Sequence, residues 1–138
     1  MTDPNLRFGA VEWQGDLRFT GSGPGGPSIT LDGDGKAGPG PVVTLLLAAA
    51  SCSGADMVGI LEKQQVVLRS FHIDVVARRA ETYPRRILEL TMTFRLSGEG
   101  LTEAKARRAV DLSLEKYCSV VLSLNPDIPI RSEIVIEG

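Results

Sequence analysis

The run Gly40-Pro-Val-Val-Thr-Leu-Leu-Leu-Ala-Ala-Ala-Ser-Cys-Ser53 decides how the rest of this chain is read. Pro41 suits the first turn of a helix, where its missing N–H would have no partner anyway. Val42, Val43, Leu45, Leu46, Leu47, Ala48, Ala49 and Ala50 then put apolar groups on every side. A helix that is apolar all round is a buried one. Asp56 and then Glu62-Lys63 interrupt it before the ~20 apolar residues of a membrane crossing. No membrane partner is expected, and the helix is predicted to end near Gln64. A chain of 138 residues can hardly cover such a helix alone, so a second copy is expected around it. Cys52 lies in its second half, on a face with Leu45, Ala48, Ala49, Asp56 and Gly59.

Outward from this helix the pattern is α+β. Phe8–Trp13 and Leu17–Thr20 read as a hairpin around Gly15-Asp16. Gly21–Pro27 reads as a loop, Ser28–Leu31 as a strand and Asp32–Gly40 as a second loop. After the helix, Phe71, Ile73, Val75 and Ala77 alternate with polar neighbours over Ser70–Ala80. Leu88, Leu90, Met92, Phe94 and Leu96 do the same over Arg86–Leu96. Period two with one apolar face predicts two antiparallel strands over a core. Ser97–Gly100 reads as a break and Thr102 as a helix N-cap. Val110, Leu114, Tyr117, Cys118 and Val121 then recur at helical spacing on one face, until Asn125-Pro126 stops the helix. Ile130, Ser132, Ile134 and Ile136 alternate in a last strand.

The bulk properties narrow the function. The length is that of a single domain, residues 1–138. A net charge of −2 gives no support for a nucleic-acid partner. Met1-Thr2-Asp3-Pro4-Asn5 is polar and acidic rather than a signal segment. That predicts a cytoplasmic location, where structural disulfides are rare, so Cys52 and Cys118 are expected to be free, catalytic or redox-sensing. The one histidine, His72, argues against most zinc sites and against a Ser-His-Asp triad. It shares a strand face with Asp74, the pattern of a solvated pair. Gly21-Ser-Gly-Pro-Gly-Gly26 matches a dinucleotide-binding pattern by letter, but Pro24 and Pro27 preclude the helix that would hold a pyrophosphate. Asp32-Gly-Asp34-Gly-Lys36 begins like a calcium loop, but Lys36 stands at a ligand position.

Two blocks carry a resemblance. Gly38–Lys63 around Cys52 resembles the first-cysteine helix of the OsmC/Ohr family, and Ala109–Val120 around Cys118, followed by Leu124-Asn-Pro126, resembles its second-cysteine helix. The order of elements matches along almost the whole chain. The resemblance implies an intertwined homodimer, with central helices wrapped by sheets of both subunits. It also implies thiol-dependent reduction of organic hydroperoxides, with Cys52 and Cys118 as the catalytic pair, a dithiol as reductant, and no metal or organic cofactor. The chain departs from the peroxidase pattern at one place. Val43 stands where the family's glutamate would be, and the loop Ser28–Gly40 lacks the arginine which that glutamate positions. Asp56, four residues after Cys52, resembles a less characterised OsmC-like branch, and pairing with an arginine at a dimer seam is its expected role. The alternative implied by these departures is a non-catalytic dimer that binds a small apolar ligand in its interface groove.

Overall fold

The computed structural model describes residues 3–138. Met1 and Thr2, the start of the polar N-terminal stretch, lie outside the described residues. The chain forms two compact units that divide at Leu45/Leu46.

The first unit contains one antiparallel sheet, ordered β1 (Ala10–Trp13), β2 (Arg18–Ser22), β3 (Ser28–Asp32). The hairpin turn passes through Gly15 and Asp16, both at positive φ. The sequence placed Gly21 and Ser22 in a loop, yet both pair on either side within the sheet. Gly21 serves there because a Cβ would lie 3.2 Å from Val11 Cγ1. The register pairs Trp13 with Phe19, Val11 with Gly21, Gly21 with Ile29 and Phe19 with Leu31. Directly paired residues share a face, so one face of this sheet is apolar. Asp32 closes the following loop: its carboxylate accepts from the backbone N–H groups of Asp34 and Ala37, each at 2.9 Å. Those bonds hold its pKa below the usual carboxylate range.

Helix α1 runs Pro41–Lys63. Gln65, at φ 61°, stops it. The N–H of Gln65 reaches Glu62 O and that of Val66 reaches Leu61 O, each at 3.0 Å. This pair of bonds is a Schellman stop made without glycine. By length and composition α1 could cross a membrane, with a mean hydropathy of 1.6 over its most apolar window. Asp56, Glu62 and Lys63 all lie within it, and it ends one residue before the expected Gln64. Its burial is one-sided: Leu46, Ala49, Ala50, Ser53, Gly54, Met57 and Leu61 are buried in the core of the second unit. Val43, Leu47 and Val58 are 48%, 49% and 45% exposed, so one chain does not cover the helix all round.

The second unit is built on the sheet β4 (Val67–Arg79), β5 (Ile87–Glu99), β6 (Ile130–Ile136). β4 and β5 are antiparallel. β6 lies parallel to β5, since the helical segment between them carries the chain back to the end where β5 began. Leu90, Met92, Phe94 and Leu96 of β5 are each 0–1% exposed. The expected break at Ser97–Gly100 is mostly strand. Gly98 belongs there because β4 comes close: a Cβ would meet Val67 O at 2.5 Å. Gly54 of α1 plays the same part against β4, where a Cβ would lie 3.0 Å from Ile73 Cδ1.

The second helical segment is not one helix. Helix α2 (Glu103–Leu112) begins as expected, with Thr102 Oγ1 accepting from Lys105 N. A five-residue π segment follows, Ser113–Tyr117, then an extended residue, Cys118, then the short α3 (Ser119–Leu122). The π segment shifts the helical phase. Tyr117, predicted inward, is 50% exposed, whereas Ser113, which still follows the buried face of α2, is fully buried.

Candidate functional site

Two segments of the second unit converge on one place. On α1, Cys52 and Asp56 are four residues apart and therefore on one face. Opposite them the π segment delivers Cys118. Its backbone N–H bonds to Ser113 O at 2.7 Å, five residues back, and the chain then leaves the helix. The Cys118 sulfur caps α3, accepting from Val121 N at 3.5 Å, and its thiol points at Ala49 O, 4.0 Å away. Cys118 is fully buried and Cys52 half-buried, and both are free thiols.

The sulfurs of Cys52 and Cys118 and a carboxylate oxygen of Asp56 all lie within 4.8 Å of one another. A disulfide needs its sulfurs at about 2.05 Å, so a modest side-chain movement closes the pair. Burial pushes the Cys118 thiol up to about 11, with the neighbouring Cys52 adding to the rise against the opposing N–H of Val121. Cys118 is therefore a neutral thiol near pH 7, and the half-exposed Cys52 is the sulfur that meets a reactant first.

The sequence reading missed two serines. Ser113 Oγ lies 3.0 Å from both Ser53 Oγ and Asp56 Oδ2, and both serines are fully buried. A hydroxyl has one proton and a carboxylate only accepts. Ser113 thus donates to Asp56, and Ser53 donates to Ser113. No motif announces Ser113; it continues the buried face of Ala106, Ala109 and Val110 at ordinary helical spacing. Asp56 makes no ion pair among the described residues, and its partner within the chain is the Ser113 hydroxyl. Arg18 is held on its own hairpin by Gln14 O at 3.1 Å, with Asp16 at 4.0 Å. His72 and Asp74 form the solvated pair the sequence suggested, at 2.9 Å, joined by Arg95 at 3.0 Å.

A cleft of about 410 Å³ opens beside this site, lined by Ala55, Asp56, Gly59, Ile60, Lys63 and Tyr117. Asp56 belongs to both the cleft and the thiol pair.

The model of the OsmC-like protein family matches residues 33–133. The chain belongs to the OsmC-like family. It is 37% identical to Protein YhfA of Escherichia coli K12 over 121 residues, covering 87% of this chain and 90% of that protein. A hypothetical protein from Aquifex aeolicus VF5 superposes with a TM-score of 0.83 at 28% identity, covering 97% of this chain and 99% of that one. The organic hydroperoxide resistance protein OhrB of Bacillus subtilis has the same fold, with a TM-score of 0.61 at 14% identity over 94% of this chain and 97% of that one. Family membership and the α+β architecture expected from the two cysteine blocks are thereby established.

Proposed function

We propose that this OsmC-like protein is a thiol-dependent reductant of organic hydroperoxides working through a Cys52/Cys118 dithiol–disulfide cycle. The observation that carries this reading is the closeness of the two sulfurs, within 4.8 Å, with one half-exposed and the other buried. The thiolate of Cys52 attacks the terminal peroxide oxygen. The O–O bond breaks, the alkoxide takes a proton and leaves as the alcohol, and Cys52 becomes a sulfenic acid. Cys118 attacks that sulfur, the S–S bond forms and water leaves. A cellular dithiol restores both thiols by exchange, which fits a reducing, cytoplasmic setting.

The same reading takes the active form as a homodimer. Val43, Leu47 and Val58 on α1, and Val11, Trp13 and Ile29 on the first sheet, are exposed apolar groups that a second copy would cover.

One observation favours the second reading, a non-catalytic dimer binding a small apolar ligand. Val43 and the arginine-free loop leave the thiols without the family's activating charge, a contribution on the order of a few kcal/mol. Turnover slower than in relatives that retain both is the expected compromise.

The test is to titrate the reduced protein with cumene hydroperoxide and count thiols. Loss of two thiols in the wild type, and a trapped sulfenic acid in Cys118→Ser, is the expected result. Survival of both thiols in excess peroxide would transfer the site to the ligand-binding reading.

A further inference from the structure

The donor set at this site has a use that the peroxide cycle does not exhaust. The geometry points to a binding site for a thiophilic divalent metal ion of the Zn(II) type, made by Cys52, Asp56 and Cys118 of the reduced chain. The single histidine, His72, led the sequence away from metal, but two thiols and a carboxylate are a sufficient set of donors.

The distances are close to those required. Zn–S bonds of about 2.3 Å and Zn–O bonds of about 2.0 Å at tetrahedral angles place donor atoms about 3.5–3.8 Å apart. The three donors here lie within 4.8 Å of one another, so each pair needs to close by at most about 1.3 Å. The supporting contacts are in place. Ser113 donates to Asp56 at 3.0 Å and orients its carboxylate. Val121 N–H fixes the Cys118 sulfur from the far side at 3.5 Å. Such outer partners are what aim metal ligands.

Charge argues the same way. Once the sulfurs have given up their protons to the ion, two thiolates and a carboxylate carry three negative charges, and Asp56 has no cation paired with it among the described residues. A dication supplies the missing counter-charge. Three protein donors leave one tetrahedral position free, the arrangement of open rather than closed zinc sites. Asp56 also lines the neighbouring cleft.

Binding is balanced by proton release: each sulfur still carrying a proton gives it to solvent as its bond to the ion forms. Both sulfurs are consumed by a disulfide, so ion and disulfide exclude each other. The reduced protein holds the ion and oxidation ejects it. Coupling to peroxide rests on the function proposed above, whereas ion binding does not.

The experiment is an anaerobic titration of the reduced full-length protein with Co(II), followed by displacement with Zn(II). The expected result is one ion per chain, with a sulfur-to-cobalt charge-transfer band that falls by about half in Cys52→Ser and in Cys118→Ser. Asp56→Asn should weaken binding at least about tenfold. The wild type oxidised to its disulfide should bind nothing, an arm that needs no variant to fold. Absence of saturable binding at micromolar protein, an unchanged band in either cysteine variant, unchanged affinity in Asp56→Asn, or equal binding by the disulfide form would each overturn the site. A thiol count after cumene hydroperoxide, with and without Zn(II), separates the two ideas. Thiols inert to peroxide in a chain that binds the ion sink the peroxidase reading alone. Thiols that cycle in a chain that binds no ion sink the metal site alone.

Discussion

The molecule contains two three-stranded sheets, and they end differently. Both gather apolar residues on one face by the same period-two alternation. On β5 that face is finished, with Met92, Phe94 and Leu96 at 0% exposure among residues of α1 and α2. On the sheet of β1, β2 and β3 it is bare, with Val11, Trp13 and Ile29 at 62%, 65% and 57%. Alternation therefore specifies which face should be buried, while the helices decide whether it is. The tryptophan-bearing face is the one that the proposed second copy would cover.

Phe94→Ala and Trp13→Ser set the two faces against each other. Removing Phe94 from a closed core should cost about 3–5 kcal/mol, read as a lower urea midpoint. Trp13→Ser should cost the folded chain less than about 0.5 kcal/mol and instead lower the sedimenting mass from dimer to monomer at micromolar concentration. Equal destabilisation by the two changes would break the contrast.

Alkali should act on the finished core. Cys118 has its folded pKa raised from 9.0 to about 11. A raised value stabilises fully below the unfolded pKa, and that contribution is lost as pH rises through the folded one. Stability measured with a chelator present should hold to about pH 9 and fall by about 2 kcal/mol toward pH 11. Cys118→Ser should lack this branch; an identical alkaline fall in that variant would assign it to other groups.

Acid should act, more weakly, on the open unit. The pKa of Asp32 is lowered by the N–H groups of Ala37 and Asp34. A lowered value stabilises above the unfolded pKa, and the effect disappears as pH falls through the folded one. Asp32→Asn should therefore flatten the acid branch of the unfolding curve below about pH 4, with little change near neutrality. Hydrogen exchange at the amides of Asp34 and Ala37 gives the local readout, which should be faster in the variant. Unchanged exchange would sever that link.

Much of this was legible in the residues. Pro41 marked the start of α1, alternation marked β4 and β5, Thr102 marked the cap of α2, and the two cysteine blocks marked the family. The errors have physical sources. Gly21 and Gly98 were read as loop residues because glycine usually punctuates, whereas each is there to admit a neighbouring chain. Tyr117 was placed inward because a period of 3.6 was carried through a segment that does not keep it. Ser113, the hydroxyl that Asp56 meets, was passed over because a serine on an apolar helical stripe gives no signal.

The π segment has a consequence for how the family's sequences are compared. Its extra residue turns the following chain by about 100° relative to an uninterrupted helix. Deleting one residue within Ser113–Tyr117 would leave both cysteines in the sequence and carry Cys118 away from Cys52. The working pair is thus encoded by a residue count as well as by residue identity. Alignments that match the cysteines while gapping this turn would group proteins that share letters but not a site.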